Sequence, residues 1–186
     1  MLRTFLILFV GFSISACVSP TQVVTPLGEE HKGVRNVETI EVAYGEFSKS
    51  KLVAIDLERK AEGDESDTPD ELQYKSLKEA MEVIVTQHLE SRDNDIGQNS
   101  HVEIEIDNLK FANAAAAILI GDTDQLAGTV RVYDTETKAL LTEFYVDVLK
   151  GRAGLLGLAI RGSGVREQLS LEYADIIGDQ LGFEDK

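Results

Sequence analysis

The sequence predicts an α+β domain of two layers: a mainly antiparallel sheet of about five strands with two helices on one face. Three observations predict it. Several short stretches alternate apolar and polar residues, the pattern of half-buried strands. Two longer stretches repeat apolar residues at helical spacing instead. Their order along the chain is strand, strand, helix, three strands, helix, and helices covering one face of a sheet is the economical packing of that order.

The first strand signals are residues 37–47 and 52–57. Ile40, Val42 and Tyr44 alternate with Thr39, Glu41 and Ala43, and Val53, Ile55 and Leu57 alternate likewise with smaller or polar neighbours. Residues 60–67 turn acidic and read as a surface loop. Thr68-Pro69-Asp70-Glu71 combines a capping threonine, a proline at the first helical position and a glutamate where a capping box wants it. Leu72, Leu77, Ala80, Met81, Ile84 and His88 then recur at helical spacing, so a helix is expected from 69 to about 90. Val102, Ile104 and Ile106 alternate with Glu103, Glu105 and Asp107. The phase slips at Asn108, because Leu109 and Phe111 continue on odd numbers, and a β-bulge is expected there. Residues 126–133 and 139–148 form a hairpin around Asp134–Lys138. A closing helix spans about 165–181, with Leu169, Tyr173, Ile176, Ile177 and Leu181 on one side.

Ahead of this domain, Met1-Leu2-Arg3 supplies one positive charge, an apolar run from Phe5 to Phe12 follows, and Ile14-Ser15-Ala16-Cys17 ends in the only cysteine of the chain. A basic start, a short apolar core and a small-residue cleavage site make a secretory signal peptide. The run falls short of the ~20 residues that span a bilayer. With an aliphatic residue three positions before the cysteine and small residues between, the site resembles the lipobox of bacterial lipoproteins. There the cysteine is acylated and becomes the new amino terminus. The resemblance implies a signal peptide over 1–16, acyl chains including palmitate on Cys17, and attachment to the membrane through them. An ordinary signal peptide with an incidental cysteine is the alternative. Val18 rather than aspartate follows the cysteine, which implies outer-membrane residence facing the periplasm in a cell with two membranes. Residues 17–37, with Pro20, Pro26, Gly28 and Gly33 and no sustained periodicity, read as the lipidated cysteine and a flexible tether of about 25 Å. Residues 38–186 read as a single domain.

Cleavage leaves 170 of the 186 residues, enough for a domain that buries ~70% of its unfolded surface. The net charge of −15 argues against nucleic acid, which needs clustered Lys and Arg, and against charge-driven docking on anionic lipid. Nothing in the sequence assembles a reaction centre. His31, His88 and His101 lie apart. Asp93–Gly97 fails as a calcium loop, because Ile104 occupies the twelfth position where a bidentate glutamate is required. Asp122 with Asp124, or Asp134 with Glu136, could hold a weakly bound ion, but turn chemistry explains both pairs as well. Gly162-Ser163-Gly164 lacks the nucleophile-elbow pattern, and Ser163 reads as a helix cap. No phosphate loop is present. No enzyme activity, cofactor or metal site is expected.

Two apolar stretches rich in small residues flank the hairpin, Ala112–Ile120 and Gly151–Gly164. They either cover core or present an adaptable surface to a partner or a lipid. In the second, Leu155, Leu156, Leu158 and Ile160 are bracketed by Arg152 and Arg161 in an otherwise acidic chain. These six are the candidate contact residues, suited to an acidic partner or a lipid phosphate. The hairpin, glycine-rich segment and final helix over 126–183 resemble the carboxyl-terminal half of several families of uncharacterised bacterial lipoproteins, although Glu136-Thr137-Lys138 lacks the glycine usual in that turn. The resemblance implies an envelope lipoprotein and supplies no functional residues. The function expected is that of a lipid-anchored envelope accessory or assembly protein binding another envelope protein. The alternative is a carrier of a small ligand or lipid.

Overall fold

Strands Thr21–Thr25 (β1), Arg35–Tyr44 (β2), Gln98–Lys110 (β3), Asp122–Asp134 (β4) and Leu140–Arg152 (β5) form one sheet in the order β1-β5-β4-β3-β2. The computed structural model describes residues 21–62, 72, 75–92, 97–111, 122–152 and 164–184. β2 runs parallel to β3, reached through helices Lys49–Glu62 (α1) and Leu77–Arg92 (α2); every other neighbouring pair is antiparallel. The third helix, Val165–Leu181 (α3), follows β5. The described residues thus form the α+β fold with a mostly antiparallel five-stranded sheet, and among them are three helices where two were expected.

The strands bury alternate residues because, among the described residues, the helices meet only one face of the sheet. Val102, Ile104 and Ile106 of β3, Val130 and Val132 of β4, and Phe144, Val146 and Val148 of β5 turn into a single core. Leu77, Met81, Val85 and Leu89 of α2, Leu169, Tyr173, Ile177 and Leu181 of α3, and Leu52 of α1 meet them. The expected bulge is present: Ile106 pairs with Gly128 and Asn108 with Ala127, so Asp107 is the extra residue and the buried set resumes at Leu109. At Gly128 a Cβ would lie 2.3 Å from the carbonyl oxygen of Glu105, so only glycine lets the bulged strand approach.

Two expectations are corrected. Residues 52–57 are helical, part of α1. Leu52, Val53, Ile55 and Leu57 fit either period over so short a window. The helix buries Leu52, packs Ile55 against the core and turns Asp56 to the Tyr44 hydroxyl at 2.5 Å and the Leu77 N–H at 2.9 Å. The expected tether also gives way from residue 21 onward. β1 pairs with β5, Leu27 is buried, and the Thr142 hydroxyl donates to the Thr25 carbonyl at 2.6 Å. Further along, the Gly33 N–H donates to the carbonyl of Leu181 at 2.8 Å.

The first capping box, at Thr68–Glu71, lies outside the described residues. The box that starts α2 is Ser76-Leu77-Lys78-Glu79: the Glu79 carboxylate accepts the Ser76 N–H at 2.8 Å and the Ser76 hydroxyl accepts the Glu79 N–H at 3.3 Å. Helix α3 begins at Gly164, without a side-chain cap, rather than at Ser163. It ends in a Schellman motif, with Gly182 left-handed and the Phe183 N–H returning to the Gly178 carbonyl.

A buried ion pair ties β2 to the end of β4. Arg35 Nη1 donates to Asp134 Oδ2 at 2.7 Å, the two residues being 3% and 6% exposed. Asp134 Oδ1 accepts the Glu136 and Thr137 N–H groups and the Thr137 hydroxyl, closing the hairpin turn. The Arg35 guanidinium first, and then the Thr137 N–H and hydroxyl, hold the Asp134 carboxyl well below the usual carboxylate range. A depressed folded-state pKa contributes stability that is complete above roughly pH 5 and is lost as the pH falls towards the folded value. Arg35→Ala removes the largest cause. The variant is expected to melt well below the parent at pH 7, with the gap largely kept at pH 4 and closing only as the pH falls below about 3; circular dichroism melts from pH 7 down to about pH 2 check it.

Candidate interaction face

The second face of the sheet has no helix among the described residues, and alternation places its charged side chains there. Glu41 and Ala43 of β2, His101, Glu103 and Glu105 of β3, Thr129, Arg131 and Tyr133 of β4, and Glu143, Tyr145 and Asp147 of β5 are all partly or fully exposed. Arg131 is the hub. Its Nε donates to Glu143 at 2.9 Å and its Nη1 to Glu105 at 3.0 Å. Those bonds raise the Arg131 pKa, chiefly through Glu105, so its charge is permanent.

Around the hub the polar groups are interlocked. His101 shares a 2.7 Å hydrogen bond with Thr39 and lies 3.5 Å from Glu103. Burial, then Glu103, raises the Tyr133 hydroxyl pKa; burial, then Glu105, raises that of the Asp107 carboxyl. On the far side Lys51, Asn108, Gln125 and Asp147 form a chain of hydrogen bonds of 2.7–2.9 Å. A shallow cleft of about 240 Å³ opens between Glu41, Glu103, Glu105, Tyr44 and Arg131. Three glutamates against one arginine make it a negative surface, suited to a cationic partner group. Among the described residues no group of three His, Cys, Asp or Glu side chains converges to hold a metal ion.

No family model and no curated relative matches the chain. Solved structures do. Protein XCC0632 from Xanthomonas campestris, described as a DUF330 protein, is similar at 8% identity and a TM-score of 0.50, over 86% of this chain and 92% of that one. The likeness is one of fold. PelC from Paraburkholderia phytofirmans, a dodecamer, matches at 11% identity and a TM-score of 0.47, over 89% of this chain and 99% of its own. A candidate lipoprotein from Caulobacter crescentus matches at 12% and 0.39, over 77% and 87%.

The residues singled out in the sequence are distributed differently from this face. Cys17 and the contact candidates Leu155, Leu156, Leu158, Ile160 and Arg161 lie outside the described residues. Arg152 is the last residue of β5, paired with Asp122. Of the proposed weak-ion pairs, Asp134 is committed to Arg35 and Asp124 is buried. His88 pairs with Asp175 across α2 and α3, while His31 meets Arg35 at 3.2 Å. Sequence reasoning did not single out Arg131. Its signal is parity: it is a lone cation on the wet phase of β4, between two strands that carry glutamates on theirs.

Proposed function

We propose that the chain is a lipid-anchored accessory protein of the cell envelope, facing the periplasm from the outer membrane where two membranes exist. It binds another envelope protein and catalyses no reaction. The observation that carries the reading is the Ile14-Ser15-Ala16-Cys17 lipobox behind a signal peptide. The acid-rich open face is the partner surface that the geometry favours, and a basic protein surface is what it would recognise. At about 240 Å³ the cleft falls below the ~300 Å³ at which pockets for drug-sized ligands begin, so this face suits a protein surface better than an enclosed small ligand. The segment with Arg152, Leu155, Leu156, Leu158, Ile160 and Arg161 belongs to the same proposal as a second contact.

The test is crosslinking in cells from a photoreactive residue at Ala43, which is exposed beside the cleft. A discrete adduct with an envelope protein is expected, reduced about tenfold or more in a Glu41→Lys/Glu103→Lys variant if the charge match is worth ~1.4 kcal/mol or more. An adduct of unchanged yield in that variant, with the fold intact, would remove the face from the proposal.

A further inference from the structure

β1 is an edge strand that brings no buried side chain to the fold. It pairs with β5 over Thr21↔Val146 to Thr25↔Glu143, and Val24 is an extra, bulged residue that interrupts this short ladder. Val23 lies opposite Phe144, on the core side of the sheet, yet it is 49% exposed. The helical layer accounts for this, because α3 packs on β4 and β5 and so leaves β1 outside its cover. The strand at the other edge is held differently. Val42 of β2 is fully buried, and its N–H donates to the Glu82 carboxylate of α2 at 3.3 Å.

The chain is fastened into the core only after β1. Leu27 is buried in the core cluster, the Gly33 N–H holds the Leu181 carbonyl, and Arg35 is paired with Asp134. Pro26, which has no N–H to add to a ladder, stands between the loose part and the fixed part. The Thr142 hydroxyl on the Thr25 carbonyl fastens the strand next to that joint. Release of β1 therefore exposes little apolar surface and leaves the fastenings after it untouched, the conditions for opening well below the cost of global unfolding.

We propose that β1 is a strap with two positions, closed on β5 or opened about Pro26, and that it sets how far the domain stands from its anchor. The proposal rests on the reading of Cys17 as the lipid anchor. Closed, the strap leaves four residue steps between Cys17 and Thr21, at most about 14 Å. Open, the first fixed point is Leu27, ten steps from Cys17, and the reach grows to at most about 35 Å. The longer reach brings partners within range that the closed form cannot meet.

The full-length chain is processed in cells, reconstituted in phosphatidylethanolamine–phosphatidylglycerol vesicles and treated briefly with thermolysin, which cuts before large apolar residues. The open strap offers it Val23, Val24 and Leu27. A folded domain beginning at one of these residues is expected in the supernatant, released at least ~100-fold faster than β3 or β4 is cut. Low urea should leave that rate nearly unchanged, because the opening exposes little surface. Gln22→Cys/Tyr145→Cys places two thiols on directly opposed residues, and oxidation locks the strap shut. Release should then fall at least tenfold and return on reduction. Strap cuts that keep pace with cuts in β3 and β4, with the same urea dependence, overturn the proposal, because β1 then opens only with the whole domain. Release by a cut before Val18 alone, or release that the lock leaves undiminished, overturns it too. A lipidated Cys17 with an uncut strap removes the strap and keeps the anchor. A strap cut as expected on a chain whose Cys17 carries no lipid removes the anchor, and the change of reach with it.

Discussion

Tyr173→Ala is expected to lower the stability of the domain by about 3–5 kcal/mol, whereas Tyr173→Phe is expected to cost nothing or to raise it. Tyr173 is fully buried in the middle of α3, among the largest enclosed side chains, where the helix packs on the sheet. Truncation to alanine loses the transfer free energy of the ring and leaves a cavity in a layer whose walls are strands that cannot collapse inward. The hydroxyl behaves differently. It has no hydrogen-bond partner among the described residues, and burial pushes its pKa well above 10. A buried donor without a partner costs desolvation and returns nothing, so its removal is free or favourable. Urea unfolding of both variants checks the pair. A marked loss in Tyr173→Phe would show that the hydroxyl is satisfied.

The same helix shows why some of the fold was legible. Leu169, Tyr173, Ile176, Ile177 and Leu181 repeat without interruption, and the observed element runs over Val165–Leu181 as expected. The slip of phase at Asn108 was equally readable, because in a strand with one wet face a bulge must show as a change of parity. Two elements were not readable for two physical reasons. β1 is five residues long and its partners lie more than a hundred positions away, at 143–146, so its local pattern is too short and its stabilisation is entirely non-local. In α1 the spacing of Leu52, Val53, Ile55 and Leu57 satisfies both periods, and packing against β3 and the contact of Asp56 with α2 decide between them. The open face was half legible. Alternation gives its residues, but the meeting of Arg131 with Glu105 and Glu143 needs the strand order.

Cys17→Ala is expected to release the protein from membranes altogether. Acyl chains bury dozens of methylenes at ~0.8 kcal/mol each, far beyond what a single reversible myristoyl chain supplies. Without them, a chain of net charge −15 has no charge-based hold on an anionic surface. The variant should therefore move from the detergent phase to the aqueous phase and lose fatty-acid labelling, with its fold unchanged. Membrane retention equal to that of the parent would mean that the uncleaved apolar segment, or a protein partner, holds the chain in place.

The mass of the amino-terminal peptide of the mature protein decides whether Cys17 is the lipid anchor. The peptide is expected to begin at Cys17 and to carry a diacylglycerol and an amide-linked acyl chain. A mature chain that begins elsewhere, or a Cys17 whose sulfur carries no lipid, would contradict it.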